Sequence, residues 1–163
     1  MIKIGLISDT HGHWDDAYEK YFSECDEIWH AGDIGNISIM DKLNKISPAK
    51  AVYGNIDNHL IRAEYPENLC FKIEGLKFWI THIGGKPYNY NKRTYSKLKE
   101  EKPDVFICGH SHICKVMMDK RLNTLYINPG AAGKVGFHNV RTLIRFNISS
   151  GSIKNLEVIE LKK

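Results

Sequence analysis

No run in this chain is apolar over the roughly 20 residues that a membrane-spanning helix needs, so no such helix is expected. The first residues form an apolar run too short for a secretion signal, with no small-residue cleavage site after it. They predict a strand, and the expected compartment is the cytoplasm. Cys-x-x-Cys pairs are missing too. Cys25, Cys70, Cys108 and Cys114 stand apart and read as small, partly buried apolar residues, although Cys108 and Cys114 flank a histidine pair. Nor is there a large excess of one charge. A net charge of +4 helps to attract an anionic substrate but does not mark nucleic-acid binding. Internal repeats, low-complexity tracts and linkers are also lacking. The 163 residues therefore fit one domain, 1–163, large enough to bury a core without staples. A composition 42% hydrophobic and 26% charged is that of an ordinary soluble globular protein.

What the chain does have is a series of apolar, strand-like segments, each ending in polar residues. Residues 2–7 run into Ser8-Asp9-Thr10-His11-Gly12. A strand's side chains alternate with period two, so Asp9 and His11 are expected on the same side of a strand end. Helical spacing over Trp14 to Cys25 predicts an amphipathic helix. Residues 26–31 then form a strand ending at Gly32-Asp33. Asn36 or Ser38 can cap a second helix, stopped by Pro48. Residues 49–53 form a third strand, closing in Gly54-Asn55-Ile56-Asp57. Strand–helix–strand–helix–strand predicts parallel pairing with right-handed crossovers.

The middle of the chain changes character. Residues 69–73 and 76–80 predict a hairpin running into Thr81-His82, followed by a loop over 83–87. Residues 91–101 predict a basic helix with Tyr95 and Leu98 as its apolar contacts, its charges read as a solvated face. A strand over 104–108 ends at Gly109-His110-Ser111-His112. Two further hairpins are expected, over 115–127 and 140–161, separated by a turn-rich loop over 128–133.

Asp9, His11, Asp33, Asn55, His82, His110 and His112 thus each follow an apolar strand. Polar groups at the ends of core strands are costly unless something satisfies them, and a metal centre would satisfy all of them together. Carboxylate, amide oxygen and imidazole in mixture suit Mn²⁺, Fe, Zn²⁺ or Ni²⁺ in catalytic sites. Seven donors exceed what one ion takes and suit two ions sharing a carboxylate. His13, His30, His59 and His138 read first as ordinary core or surface histidines, with His13 and His59 lying beside donor segments. The glycines at 12, 32, 54 and 109 are expected to let the backbone turn off each strand.

The ordered set Asp9-x-His11, Gly32-Asp33, Gly54-Asn55, Thr81-His82 and Gly109-His110-x-His112 resembles the calcineurin-like metallophosphoesterases, most of all their small bacterial and archaeal phosphodiesterases. The retromer subunit Vps29 shares that fold. The resemblance implies an α/β protein, a four-layer α/β/β/α sandwich of two mixed β-sheets flanked by helices. It implies that Asp9, His11 and His112 hold one divalent ion, that Asn55, His82 and His110 hold the second, and that Asp33 bridges them. Mn²⁺ is the expected metal, with Ni²⁺, Fe, Zn²⁺ or Co²⁺ as alternatives. The implied reaction is hydrolysis of a small phosphoester substrate by a metal-activated water in line with the leaving group, with Asp33, Asn55 and His110 as the catalytic residues.

Two positions depart from the family pattern. Many members carry histidine after the motif asparagine, where it can protonate the leaving oxygen; here that residue is Ile56. Weak turnover on alkyl esters and better turnover on aryl diesters are expected, with His59 or His13 as substitute proton donors. Ala131, after Asn128-Pro129-Gly130, stands where relatives often have serine. A non-catalytic binding module on the same fold, a nuclease and a phosphomonoesterase remain as alternatives. Whether the chain forms a homo-oligomer is left open.

Overall fold

The computed structural model describes residues 1–163. In chain order the first elements are β1 (Ile2–Ile7), α1 (Asp16–Phe22), β2 (Glu27–His30), α2 (Ile37–Ile46), β3 (Ala49–Ala51) and α3 (His59–Glu64). The middle holds β4 (Asn68–Ile73), β5 (Leu76–Thr81), β6 (Gly85–Lys86), β7 (Asn89–Tyr90), α4 (Lys92–Glu101) and β8 (Val105–Ile107). The chain ends with β9 (Cys114–Asp119), β10 (Thr124–Pro129), β11 (Val140–Ser149) and β12 (Ser152–Lys162).

Ten of these strands form two mixed sheets, ordered β12-β11-β1-β2-β3 and β4-β5-β8-β10-β9, while β6 and β7 pair separately. As the alternation of elements predicts, β1, β2 and β3 are parallel, and β11 closes against β1 antiparallel. Alternate side chains then build the layers. Ile4 and Leu6 of β1 join Trp29, Phe78, Ile80, Val105 and Ile107 in a core between the two sheets. Ile7 and Ile28 point the other way, onto Tyr18 and Phe22 of α1 and Ile39, Met40 and Leu43 of α2. On the far side, Leu98 of α4 packs on Trp79, Phe106 and Tyr126. The result is the expected α/β/β/α sandwich, with two sheets back to back and helices outside each. No helix is long and apolar enough to cross a membrane.

Several local expectations give way to side-chain chemistry. The helix predicted from Trp14 starts only at Asp16, because the Asp15 carboxylate accepts the Ala17 amide at 2.9 Å and caps it there. It ends at Phe22, which leaves Cys25 outside. Asn36, not Ser38, caps α2. Helix α3 was not legible: six residues with one buried apolar side chain, Ile61, make no stripe. The expected loop over 83–87 contributes one arm of the β6–β7 ribbon. On α4, Thr94 and Leu98 are the buried contacts and Tyr95 is exposed. Asn128 and Pro129 belong to β10 rather than to a loop.

Candidate metal centre

All seven predicted donors gather at the carboxyl ends of β1, β2, β5 and β8 and in the loop after β3. Single ligand atoms of Asp9, His11 and His112 lie within 4.8 Å of one another, and so do those of Asp33, His82 and His110. Asn55 joins the second group, its Oδ1 lying 3.0 Å from His110 Nδ1. The Asp33 Oδ2 atom stands between the two groups, 3.4 Å from His11 Nε2 and 3.2 Å from His82 Nε2.

Strand alternation does not deliver Asp9 and His11, because β1 stops at Ile7. Both residues adopt left-handed backbone, with φ of 53° and 46°. So do Asp33, His110 and His112, at 55°, 71° and 62°. Left-handed backbone costs a non-glycine residue about 1–2 kcal/mol, and such strain gathers where surrounding structure holds it for function. Aspartate and histidine are among the residue types that tolerate it. The neighbouring glycines at 54 and 109 act by close approach rather than by a left-handed turn. A Cβ at 54 would sit 2.1 Å from Asp33 Oδ1, and one at 109 would sit 2.2 Å from Ser8 Oγ.

Each carboxylate has one oxygen engaged by the protein and one facing the cluster. Asp9 Oδ2 accepts from the Ser8 hydroxyl at 2.7 Å and the His110 amide at 3.1 Å, while Oδ1 is buried with no partner. Asp33 Oδ1 accepts the Ile56 amide at 3.1 Å. The Nε2 atoms of His11 and His82 are likewise buried and unpartnered. His82 Nδ1 faces the Ala31 carbonyl at 2.8 Å, so it carries the proton and Nε2 presents a lone pair to the two carboxylates. Lone pairs and anions packed this way need a cation among them. The donor set therefore fits divalent metal ions.

The carboxylates also perturb the imidazoles. Burial alone would raise Asp9 and Asp33, but the imidazoles beside them hold both below the usual carboxylate range. His11 is raised by Asp9. Burial pulls His82 down, yet Asp33 and Asp9 lift it above the ordinary imidazole value. His110, half-exposed at the rim of the cluster, is lowered by burial.

Four supporting residues had no assigned role in the sequence. The buried Asp57 carboxylate takes the amides of Ile34, Gly35 and Gly54 at 3.1, 2.8 and 2.7 Å, tying the Asp33 loop to the Asn55 loop. Arg62 of α3 donates to the carbonyls of Asp57 and Asn55 at 2.7 and 3.2 Å. Asn128 donates to Gly109 O and Ser111 Oγ at 3.1 and 3.0 Å, which steadies the turn carrying His110 and His112. His30, fully buried, accepts the Gly32 amide on Nδ1 and shares a 2.9 Å hydrogen bond with Thr10 from Nε2. Asp57 and Asn128 lie inside quoted motifs and His30 reads as an ordinary core or surface histidine; only Arg62 carries no local signal.

The ligands open into a depression of about 550 Å³ whose walls include Ile56, Ile113, Phe137 and His138. His13 and His59, the candidate proton donors, do not line it. His59 begins α3 on the exposed surface, and the charges that act on His13 are those of Arg141, Lys134 and Asp15. His138 is the additional histidine there, its ring 5.2 Å from that of His112. Cys108 is buried beside Tyr126, and the Asn128 turn presents no hydroxyl at Ala131.

Residues 2–151 match the family described as the calcineurin-like phosphoesterase superfamily domain. A protein of Methanocaldococcus jannaschii named "Probable metallophosphoesterase" is 34% identical over 136 residues, spanning 78% of this chain and 67% of that one. Among solved structures, a novel archaeal phosphodiesterase superposes with a TM-score of 0.79 at 23% identity, over 98% of this chain and 100% of that one. Vps29 from Entamoeba histolytica, in a single-mutant form, superposes at 0.75 and 17% identity, over 99% of this chain and 100% of that one. The two superpositions bear on the fold.

Proposed function

The chain belongs to the calcineurin-like phosphoesterase superfamily, and from that premise we propose that it is a metal-dependent phosphodiesterase with a binuclear centre. The observation that carries this reading is the pair of donor triads with buried, unpartnered atoms aimed between them. Asp9, His11 and His112 would hold one ion, and Asn55, His82 and His110 the other. Asp33 would be shared between them. Mn²⁺ suits these donors, and Ni²⁺, Fe, Zn²⁺ or Co²⁺ could replace it. Bound there, the metals supply Lewis acidity that makes water nucleophilic near neutral pH and offsets charge on the non-bridging phosphoryl oxygens.

The chain's own residues do the rest. The Ser8 hydroxyl and the His110 amide hold Asp9 with one oxygen turned inward. The Ile56 amide does the same for Asp33. Ala31 fixes the tautomer of His82. Asn55 and His110, the exposed members of the set, face the depression where a phosphoryl group enters and orient it. Ile56 offers the leaving oxygen no proton. The enzyme should therefore favour diesters whose leaving group departs as a stable anion.

The test measures metal content and bis-p-nitrophenyl phosphate hydrolysis together, in wild type and Asp33→Asn. Loss of bound metal with loss of turnover is the expected result; unchanged turnover in the variant overturns the bridging role. A second reading has its own observation. Ile56, Ile113 and Phe137 expose apolar surface at the mouth, as a partner-binding module on this fold would. Wild-type protein that takes up no metal and hydrolyses no ester would favour that module.

A further inference from the structure

A groove of about 410 Å³ runs away from the ligand cluster and meets it at Asn55 and His82. Its volume is that of a small-molecule site. Helix α4 lines it through Arg93 and Lys97, and α3 through Arg62. Glu67 is the one carboxylate residue among its lining residues. Arg62 is already spent on the carbonyls of the Asn55 loop. The other two cations are not. Lys97 makes no ion pair; its ammonium lies 5.0 Å over the ring of Trp79, whose indole N–H is taken by Asn68. Arg93 meets only Glu67, at 3.3 Å, with 82% of its side chain exposed. An exposed pair of that kind contributes less than about 1 kcal/mol and exchanges readily for a ligand anion.

Arg93 and Lys97 are four residues apart, hence neighbours on one helical face, and that face is the one turned to the groove. The basicity of α4 is thus not uniformly solvated. The other depression at the cluster, which shares Asn55 with the groove, carries its exposed hydrocarbon on Ile56, Ile113 and Phe137. A diester laid over the ligands meets cations under one substituent and hydrocarbon under the other.

We propose that this groove binds a second phosphate carried by one ester substituent, so that the substrate is a small phosphodiester bearing a further anionic phosphate on that arm. The inference rests on the phosphodiesterase reading, since the metal centre defines the inner end of the groove. It also sets the direction in which the substrate lies.

The probes are thymidine 3′,5′-bisphosphate and thymidine 5′-phosphate, which differ by the second phosphate alone. Their binding to the manganese-loaded chain is measured by calorimetry in wild type, in Arg93→Ala/Lys97→Ala, and in Lys20→Ala/Lys45→Ala. The last variant removes the same charge from distant helices. Wild type should bind the bisphosphate about tenfold more tightly, as two partly exposed cation contacts allow. Arg93→Ala/Lys97→Ala should bring that ratio close to one, and Lys20→Ala/Lys45→Ala should leave it in place. A wild-type ratio near one overturns the proposal. So does a ratio that survives in Arg93→Ala/Lys97→Ala, one that falls equally in the control variant, or no saturable binding of either probe. Binding is read without turnover. Failure to hydrolyse bis-p-nitrophenyl phosphate would defeat the phosphodiesterase reading while this ratio still decides the groove.

Discussion

His82 donates its Nδ1 proton to the carbonyl of Ala31 across 2.8 Å, and this one hydrogen bond turns Nε2 toward Asp33. The carbonyl belongs to the residue that follows β2, so the first sheet orients a ligand carried by the second. Outer partners of this kind fix the ring and raise its basicity toward a metal.

The first prediction concerns that ligand. His82→Ala should lower the manganese bound at saturation from two ions per chain toward one, because Asp9, His11 and His112 are left intact. Elemental analysis after gel filtration reads the number directly. Two ions retained with undiminished affinity would remove His82 from the centre.

Asp57 supports the second. Its carboxylate is the partner of three amides, and its side chain is buried. Removing it strands those donors, each at a cost of about 1–3 kcal/mol. Asp57→Ala should lower the unfolding free energy by about 3 kcal/mol or more in urea denaturation. Manganese affinity should fall with it, since the Asp33 and Asn55 loops lose their tie. An unchanged denaturation midpoint would show that the carboxylate is dispensable.

His30 gives a prediction about pH. Burial depresses its pKa to about 4, and the folded protein therefore excludes a proton that the unfolded chain takes up near pH 6.5. This contribution to stability is complete above the unfolded value and drains away as pH falls from about 6.5 toward 4, amounting to about 3 kcal/mol. His30→Asn keeps an acceptor near the Gly32 amide and does not titrate. Between pH 7.5 and 4.5, wild type should lose more stability than His30→Asn by that order. Parallel losses in the two proteins would mean that His30 is not the proton-linked group.

Regular strand and helix patterns in the first third carry the parallel pairing of β1, β2 and β3, whereas the four layers follow from the family resemblance of the motifs. Asp9, His11, Asp33, Asn55, His82, His110 and His112 could be picked out as residue types at strand ends. The way they reach one another could not. Left-handed backbone at Asp9 and His11, beyond the end of β1, brings them together in place of the expected strand alternation. Asn128 and Arg62 steady the site through backbone carbonyls, contacts that leave no mark on periodicity. Helix α3 was missed for the same reason that Arg62 was, since one buried isoleucine gives no stripe. The basic residues of α4 are largely solvated as expected, but composition cannot tell that Arg93 and Lys97 among them line a groove.

Ile56 is the position where leaving-group chemistry can be tested by gain. Its amide is committed to Asp33 Oδ1, but its side chain is half-exposed in the depression beside Asn55 and His110. An imidazole placed there enters the site without disturbing the core, so Ile56→His should change stability by less than about 0.5 kcal/mol. A positioned proton donor helps most when the leaving oxygen is basic. Turnover of an alkyl phosphodiester should therefore rise, by up to about 10²–10⁴-fold, while that of bis-p-nitrophenyl phosphate stays within a few-fold of wild type. The alkyl gain should also vanish as pH rises above the range in which the new imidazole is protonated. Equal effects on both esters, or a gain independent of pH, would mean that the missing proton is not what limits this site.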